Sequence, residues 1–233
     1  MSGSVREVLA LEAVEFAGWT ARVIEDAIHS AVTARGVCRI VLAGGRTPAQ
    51  VYQVLALRAN VPWAEVHVYI GDERCVPPTH ADSNYRMIEQ TLLSMVPVPK
   101  AQIHRLRGEL GANAAAGEYQ LFLEPLPEPK FDFVLSGVGA DGHTASVFPG
   151  DERVMTSHAW AIGAVSPPQF AVSERVGLTL RALCSTRVAC VLCTGAEKRA
   201  VRDAILSGDA AAQSLPAARL RGMDRTLWIV DPT

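Results

Sequence analysis

Aromatic residues are scarce, at 6% of 233 positions, and no uncharged stretch reaches the ~20 apolar residues that a membrane span requires. Neither sign of charge prevails. Twenty-two Lys and Arg against 24 Asp and Glu leave a net charge of −2, which excludes a polyanion binder acting through bulk charge but not a local basic pocket. Cysteine is sparse and odd in number: Cys38, Cys75, Cys184, Cys190 and Cys193 make no even disulfide framework, so free thiols in a reducing compartment are expected. Met1 to Arg6 lacks the apolar core of a signal peptide, and Glu7 and Glu12 follow at once, which points to the cytosol. There is no internal repeat, no low-complexity linker, no Gly-Lys-Thr/Ser of a P-loop and no G-x-S-x-G of a serine hydrolase.

What is present is an ordinary globular composition, 49% apolar and 20% charged, with 18 glycines and 14 prolines. This excludes disorder and fibrous classes. A chain of this length buries about three-quarters of its unfolded surface without a disulfide or metal staple. One domain over residues 1–233 is expected, with the Pro-rich stretch Leu123–Lys130 as a stiff internal connection.

Strand-like and helix-like runs alternate. Val8–Leu11 is a short apolar run, and Ala13 to Ala34 carries an apolar stripe at helical spacing that Gly36 ends. Cys38–Ala43 reads as a buried strand, and Thr47-Pro48 as the cap and first residue of a helix to about Arg58. Val66–Ile70 is the next strand, then a long loop from Gly71 to Asp82, then a helix capped by Ser83 and running to Leu93. A marginal strand at Ile103–Leu106, a helix over Ala112–Leu123 and a strand over Phe131–Ser136 follow. Ala159–Val165, Val176–Thr179, Val188–Cys193 and Thr226–Val230 are further strand candidates, and Ala196–Leu206 is amphipathic. Strands separated by helical patterns mean βαβ units, so the fold class is α/β: a mostly parallel, Rossmann-like sheet with helices on both faces. In such sheets ligands bind outside the carboxyl ends of the strands.

Three strand ends carry unusual residues. After the first come Gly44-Gly45-Arg46-Thr47-Pro48, where the backbone can approach a ligand and the following helix start favours a phosphate; an ordinary strand-to-helix turn reads the same way. After the second come Asp72-Glu73-Arg74, a charge cluster suited to a cleft, with Arg74 able to grip a phosphate or carboxylate, or else a solvated loop. After the third comes Gly137 to Ser146, which contains G-x-G-x-x-G. No acidic residue follows the next strand to hold a ribose, and Asp141 and His143 occupy the place of a pyrophosphate. A histidine among three glycines at a strand end reads as catalytic, and a helix starting there would keep its imidazole neutral. Cys190 and Cys193 lie three apart in an apolar strand and so face opposite sides, which argues against zinc or a redox pair. His80, Asp82, Asp141 and His143 have no metal-ligand spacing, and the other histidines read as surface or packing residues.

The segments LAGGRTP at 42–48, YIGDERCVPPTHADSNYRM at 69–87, FDFVLSGVGADGHTASVFPG at 131–150, RVGLTL at 175–180 and TGAEKR at 194–199 resemble the 6-phosphogluconolactonase family, within the larger glucosamine-6-phosphate isomerase/deaminase superfamily. The resemblance implies hydrolysis of 6-phosphoglucono-δ-lactone to 6-phosphogluconate, the second step of the oxidative pentose phosphate pathway, with no metal and no organic cofactor. It implies His143 as general base, with Asp141 orienting the ring or the water, or only stabilising the turn. It places Gly44, Gly45, Thr47, Asp72, Arg74, Arg175 and Lys198 around the substrate, the cations near its phosphate. The partner implied is a small sugar-phosphate lactone, not nucleic acid or a membrane, and a monomer is expected. Two other readings stay open. The superfamily's deaminases carry a Glu after the D-G-H motif where this chain has Phe148, and an apolar ring cannot move a proton. A catalytically silent sugar-phosphate-binding protein would keep the same pocket.

Overall fold

The computed structural model describes residues 6–232; the reading of the first five residues lies outside these. β1 (Arg6–Ala10) enters α1 (Ala13–Arg35), whose buried stripe runs through Phe16, Thr20, Ile24, Ile28 and Ala31. Gly36 ends this helix at φ +71°, a left-handed conformation that glycine adopts without steric cost, with its N–H on the Val32 carbonyl. β2 (Cys38–Leu42), α2 (Arg46–Ala56) and β3 (Val66–Ile70) follow. Next come β4 (Asp72–Arg74), α3 (Asn84–Ile88), β5 (Ile103–His104), α4 (Ala112–Leu123) and β6 (Phe131–Gly137). α5 (Glu152–Met155), β7 (Ala161–Val165), β8 (Glu174–Leu178), α6 (Leu180–Cys184), β9 (Thr186–Cys193), α7 (Arg199–Ser207) and β10 (Arg225–Val230) complete the described chain.

Seven strands form one wholly parallel sheet in the order β1-β10-β9-β6-β2-β3-β5. Alternate residues of each central strand enter two separate cores. Ile40, Leu42, Phe133, Leu135, Cys190 and Leu192 pack with α1 and α2 on one face. Val41, Val134, Val191 and Cys193 pack with α4 and α7 on the other. The period of two thus puts Cys190 and Cys193 on opposite faces, as their spacing dictates. No helix among the described residues is long and apolar enough to cross a membrane.

Several expectations need correction. α2 begins at Arg46 with Gly45 as its cap residue, so Thr47 is already inside the first turn, and Pro48 sits where no N–H is needed. Ser83 does cap α3, accepting from the Arg86 N–H at 3.1 Å, but the helix changes to a π turn over Glu89–Leu93. The largest difference is a second sheet. β4, β8 and β7 form an antiparallel layer in that order, so residues 72–74 are not loop and 161–178 is a hairpin rather than part of the parallel sheet. Only eight residues join β7 to β8, too few for a parallel crossover.

At the far edge of the sheet His67 and His104 stack with ring centroids 5.2 Å apart, and Nδ1 of His67 lies 2.9 Å from Nε2 of His104. Tyr69, Phe122, Gln102 and Arg39 surround the pair. Burial, then the neighbouring His67, pushes the His104 imidazole down to about 4; burial and Arg39 lower His67. Both groups bind protons more weakly when folded than when unfolded. Their contribution is therefore complete above the unfolded value of ~6.5 and is lost as pH falls from there toward 4. Urea titrations at pH 7 and pH 5 are expected to show a smaller loss of stability for His104→Gln than for the parent protein; equal losses would remove this pair from the acid sensitivity.

Candidate active site

The carboxyl ends of β9, β6, β2 and β3, adjacent in the sheet, open into one cleft of about 510 Å³. All nine residues singled out in the sequence line it: Gly44, Gly45, Thr47, Asp72, Arg74, Asp141, His143, Arg175 and Lys198. Arg46, part of the first strand-end turn, also lines it, as do Asn84, Gln169 and Phe170, which sequence reasoning missed.

The glycine-rich turn expected after β6 is what holds the histidine; residues 138–151 contain no helix, so no helix dipole acts from this stretch. A carboxylate does the positioning instead. Asp141 Oδ1 lies 2.5 Å from His143 Nδ1 and also accepts from the His143 backbone N–H at 3.1 Å. A carboxylate only accepts, so Nδ1 carries the hydrogen, and in the neutral tautomer this selects the lone pair falls on Nε2. Phe148 and Phe170 wall the ring, their centroids 4.9 and 5.6 Å away. The loop is tied down by Thr144, whose hydroxyl donates to the Gly137 carbonyl at 2.8 Å and pairs with Ser136 Oγ at 2.7 Å. Ala145 takes φ +48°, a left-handed conformation costly for a residue with a Cβ.

Gly139 is required by this packing. A Cβ there would lie 2.1 Å from His143 Nδ1 and 2.7 Å from Asp141 Oδ1. The glycine-rich turn is filled by its own two side chains, which leaves no seat for a pyrophosphate. Gly139→Ala is expected to keep the far-ultraviolet dichroism of the parent while losing at least about tenfold in turnover, because a misplaced reacting group is costly. Full turnover would show that the ring position is immaterial.

The triplet in β4 divides by strand alternation. Asp72 and Arg74 line the cleft, whereas Glu73 is 2% exposed and points away. Its carboxylate accepts from the backbone N–H groups of Arg74, Asn84 and Tyr85 and from Ser83 Oγ, at 2.7 to 2.9 Å. Burial pushes this carboxyl up and those four donors pull it down. Glu73 therefore joins β4 to the start of α3, which delivers Asn84. Asn84 Nδ2 donates to the Asp72 carbonyl at 2.7 Å and to Asp72 Oδ1 at 3.2 Å. Ser146 Oγ donates to Asp72 Oδ2 at 2.6 Å, so the histidine loop and β4 are bonded across the cleft. Gly44 makes room for Asn84, whose Oδ1 would lie 1.9 Å from a Cβ at that position.

Arg74 and Arg175 are direct partners in the β4–β8 ladder. Like charges opposed across strands repel. Arg74 donates to the Asp82 carbonyl at 2.5 Å, and its Nε is buried without a hydrogen-bond partner among the described residues. Arg175 is 6% exposed, donates Nε to the Val172 carbonyl at 3.0 Å and lies 5.5 Å from the centre of the Phe170 ring. Burial, then Arg74, lowers the affinity of its guanidinium for its proton. Neither arginine makes an ion pair among the described residues. Lys198, on the turn after β9, and the start of α2 complete a cationic half of the cleft. Thr47 and Thr194 approach at 3.4 Å between their hydroxyls. Among the described residues no group of three or more His, Cys, Asp or Glu is arranged to hold a metal.

Residues 12–228 match the family model described as glucosamine-6-phosphate isomerases/6-phosphogluconolactonase. A 6-phosphogluconolactonase of Mycobacterium tuberculosis is 35% identical over 217 residues, which cover 88% of this chain and 87% of that one. The crystal structure of a 6-phosphogluconolactonase from Thermotoga maritima superposes with a TM-score of 0.88 at 29% identity, covering 98% of this chain and 100% of that one. A monomeric glucosamine-6-phosphate deaminase shares the fold, with a TM-score of 0.81 at 19% identity over 96% of this chain and 97% of its own.

Proposed function

Because the chain belongs to the glucosamine-6-phosphate isomerase/6-phosphogluconolactonase family, we propose that it is a 6-phosphogluconolactonase, an enzyme that hydrolyses 6-phospho-D-glucono-1,5-lactone to 6-phospho-D-gluconate in the oxidative pentose phosphate pathway. One observation carries the reading. A histidine with Nδ1 bonded to a carboxylate shares a cleft with two arginines that are cross-strand partners and make no ion pair among the described residues.

The reaction follows from that pairing. Phosphate oxygens lie between Arg74 and Arg175, with Lys198 and the Gly44–Thr47 turn adding charge and N–H donors. Water attacks the lactone carbonyl as Nε2 of His143 takes its proton. The carbonyl carbon becomes tetrahedral, the bond to the ring oxygen breaks, and the imidazolium returns the proton to that oxygen. Asp141 stabilises the charged ring and keeps its tautomer. Asp72, held by Asn84 and Ser146, offers an acceptor to sugar hydroxyls. A lactone is an activated ester, so no ring-opening acid is needed, and Phe148 stands where the deaminase reaction requires a carboxylate. The rest of the proposal is a cytosolic monomer that needs no metal or organic cofactor and binds no nucleic acid. Five free thiols and the near-neutral net charge support it.

The test is lactone opening by the purified protein, followed as acid release and corrected for spontaneous hydrolysis. Acceleration in the presence of a chelator is expected, with no ammonia from glucosamine 6-phosphate. Binding of 6-phosphogluconate without acceleration would make the protein a sugar-phosphate binder, and ammonia release would make it a deaminase.

A further inference from the structure

Arg202 is 2% exposed, on α7, and does not line the cleft. Its NH1 donates to both the carbonyl and Oδ1 of Asp231, each at 2.9 Å, and its Nε donates to Asp203 at 2.8 Å. Asp231, just past β10, uses its second oxygen: Oδ2 accepts from the Gly195 N–H at 3.2 Å. Gly195 opens the turn at φ +110°, and its carbonyl accepts from the Lys198 N–H at 3.0 Å. A Cβ on Gly195 would meet the Glu197 carboxylate at 2.7 Å. An unbroken set of bonds therefore runs from a buried guanidinium through a carboxylate to the turn that delivers Lys198.

We propose that Arg202 and Asp231 are positioning residues that fix the turn carrying Lys198 toward the substrate phosphate. This rests on the lactonase reading of the cleft. A buried arginine needs a carboxylate for its own sake, yet Arg202 takes only one Asp231 side-chain oxygen and leaves its own Nη2 without a hydrogen-bond partner among the described residues. The second oxygen is spent on the N–H of the one residue whose conformation sets the turn. The anchor comes from the strand after α7, so the phosphate side of the site depends on a residue far from it in sequence.

The experiment is a double-mutant cycle on KM. Asp231→Asn is nearly isosteric, but its amide cannot accept from both Arg202 and Gly195. It is expected to raise KM between about threefold and tenfold, in the lower part of the range of coupling between bonded neighbours, with kcat within about twofold of the parent. In a Lys198→Ala background the same change is expected to add nothing. Gly195→Ala disturbs the turn from its other end and should give the same signature. Additive effects of Asp231→Asn and Lys198→Ala, or a lowered melting temperature with KM unchanged in both turn variants, would reduce the network to a helix–strand staple and overturn the proposal. If the parent protein itself fails to open the lactone, the lactonase reading falls. Calorimetric Kd values for 6-phosphogluconate across the same four proteins of the cycle then decide the positioning role, equal values for the parent and Asp231→Asn ending it.

Discussion

Replacing His143 by alanine is expected to lower kcat by roughly 10²–10⁴-fold, the usual contribution of a positioned general base. Binding of 6-phosphogluconate should survive, because the cations of the cleft, Arg74, Arg175 and Lys198, come from other elements. The parent's rate should fall on the acid side as the imidazole takes up a proton and Nε2 loses its lone pair; the alanine variant should lose that limb. Asp141→Asn separates the two roles open to the carboxylate. Oδ1 accepts both the His143 backbone N–H and Nδ1–H, so an amide oxygen in its place keeps the turn and the tautomer but removes the negative charge that stabilises the imidazolium. A rate close to the parent's would confine Asp141 to stabilising the turn. Should His143→Ala keep near-full kcat with an unchanged acid limb, the base is another group, with Asp72 and Asp141 next in line.

Arg175→Met is expected to raise KM by roughly 10- to 100-fold, as for the loss of a charge-assisted bond, and to change kcat much less. The same change should leave the melting temperature of the ligand-free protein unchanged or higher. It removes a buried cation that faces Arg74 and substitutes an apolar chain of similar reach. What it should reduce is the upward shift that the same concentration of 6-phosphogluconate gives the parent protein. A variant that keeps both KM and the ligand-induced shift would place the phosphate elsewhere in the cleft. A variant that unfolds without ligand would make Arg175 a structural residue.

Most of the main sheet was legible. β3 and α4 fall on the residues that their patterns mark, because a buried parallel strand is a continuous apolar run and an Ala-rich amphipathic segment has few alternatives. The antiparallel layer was not read. β4 is three charged residues, and nothing local reports that Glu73 is sealed against the backbone of α3. One signal was available: the ten residues between the runs Ala159–Val165 and Val176–Thr179 are too few for a crossover helix, so a hairpin was implied. The site residues were legible where a motif ends a strand. Asn84 and Phe170 were not, because the first lies in a helix after a loop and the second on a hairpin tip, and the contacts that bring them to the cleft are tertiary. The glycine-rich turn around His143 was legible because three glycines and Asp141 favour turns, whereas the bond from Asp141 to the ring is a matter of side-chain placement that no spacing reports.

The pairing of β1 with β10 has a consequence for how the molecule comes into being. Glu7 and Arg225, joined at 2.6 to 2.9 Å, are 218 positions apart, and β10 is inserted between β1 and β9. On the ribosome β1 has no neighbour until almost all of the described chain has been made. Closure of so long a loop is slow, and until then one edge of β9 stays open to other strands. The same late strand leads into Asp231, so nascent chains that end before it lack the anchor of the Lys198 turn. The strand that closes this edge of the sheet and the carboxylate that anchors the Lys198 turn thus arrive together.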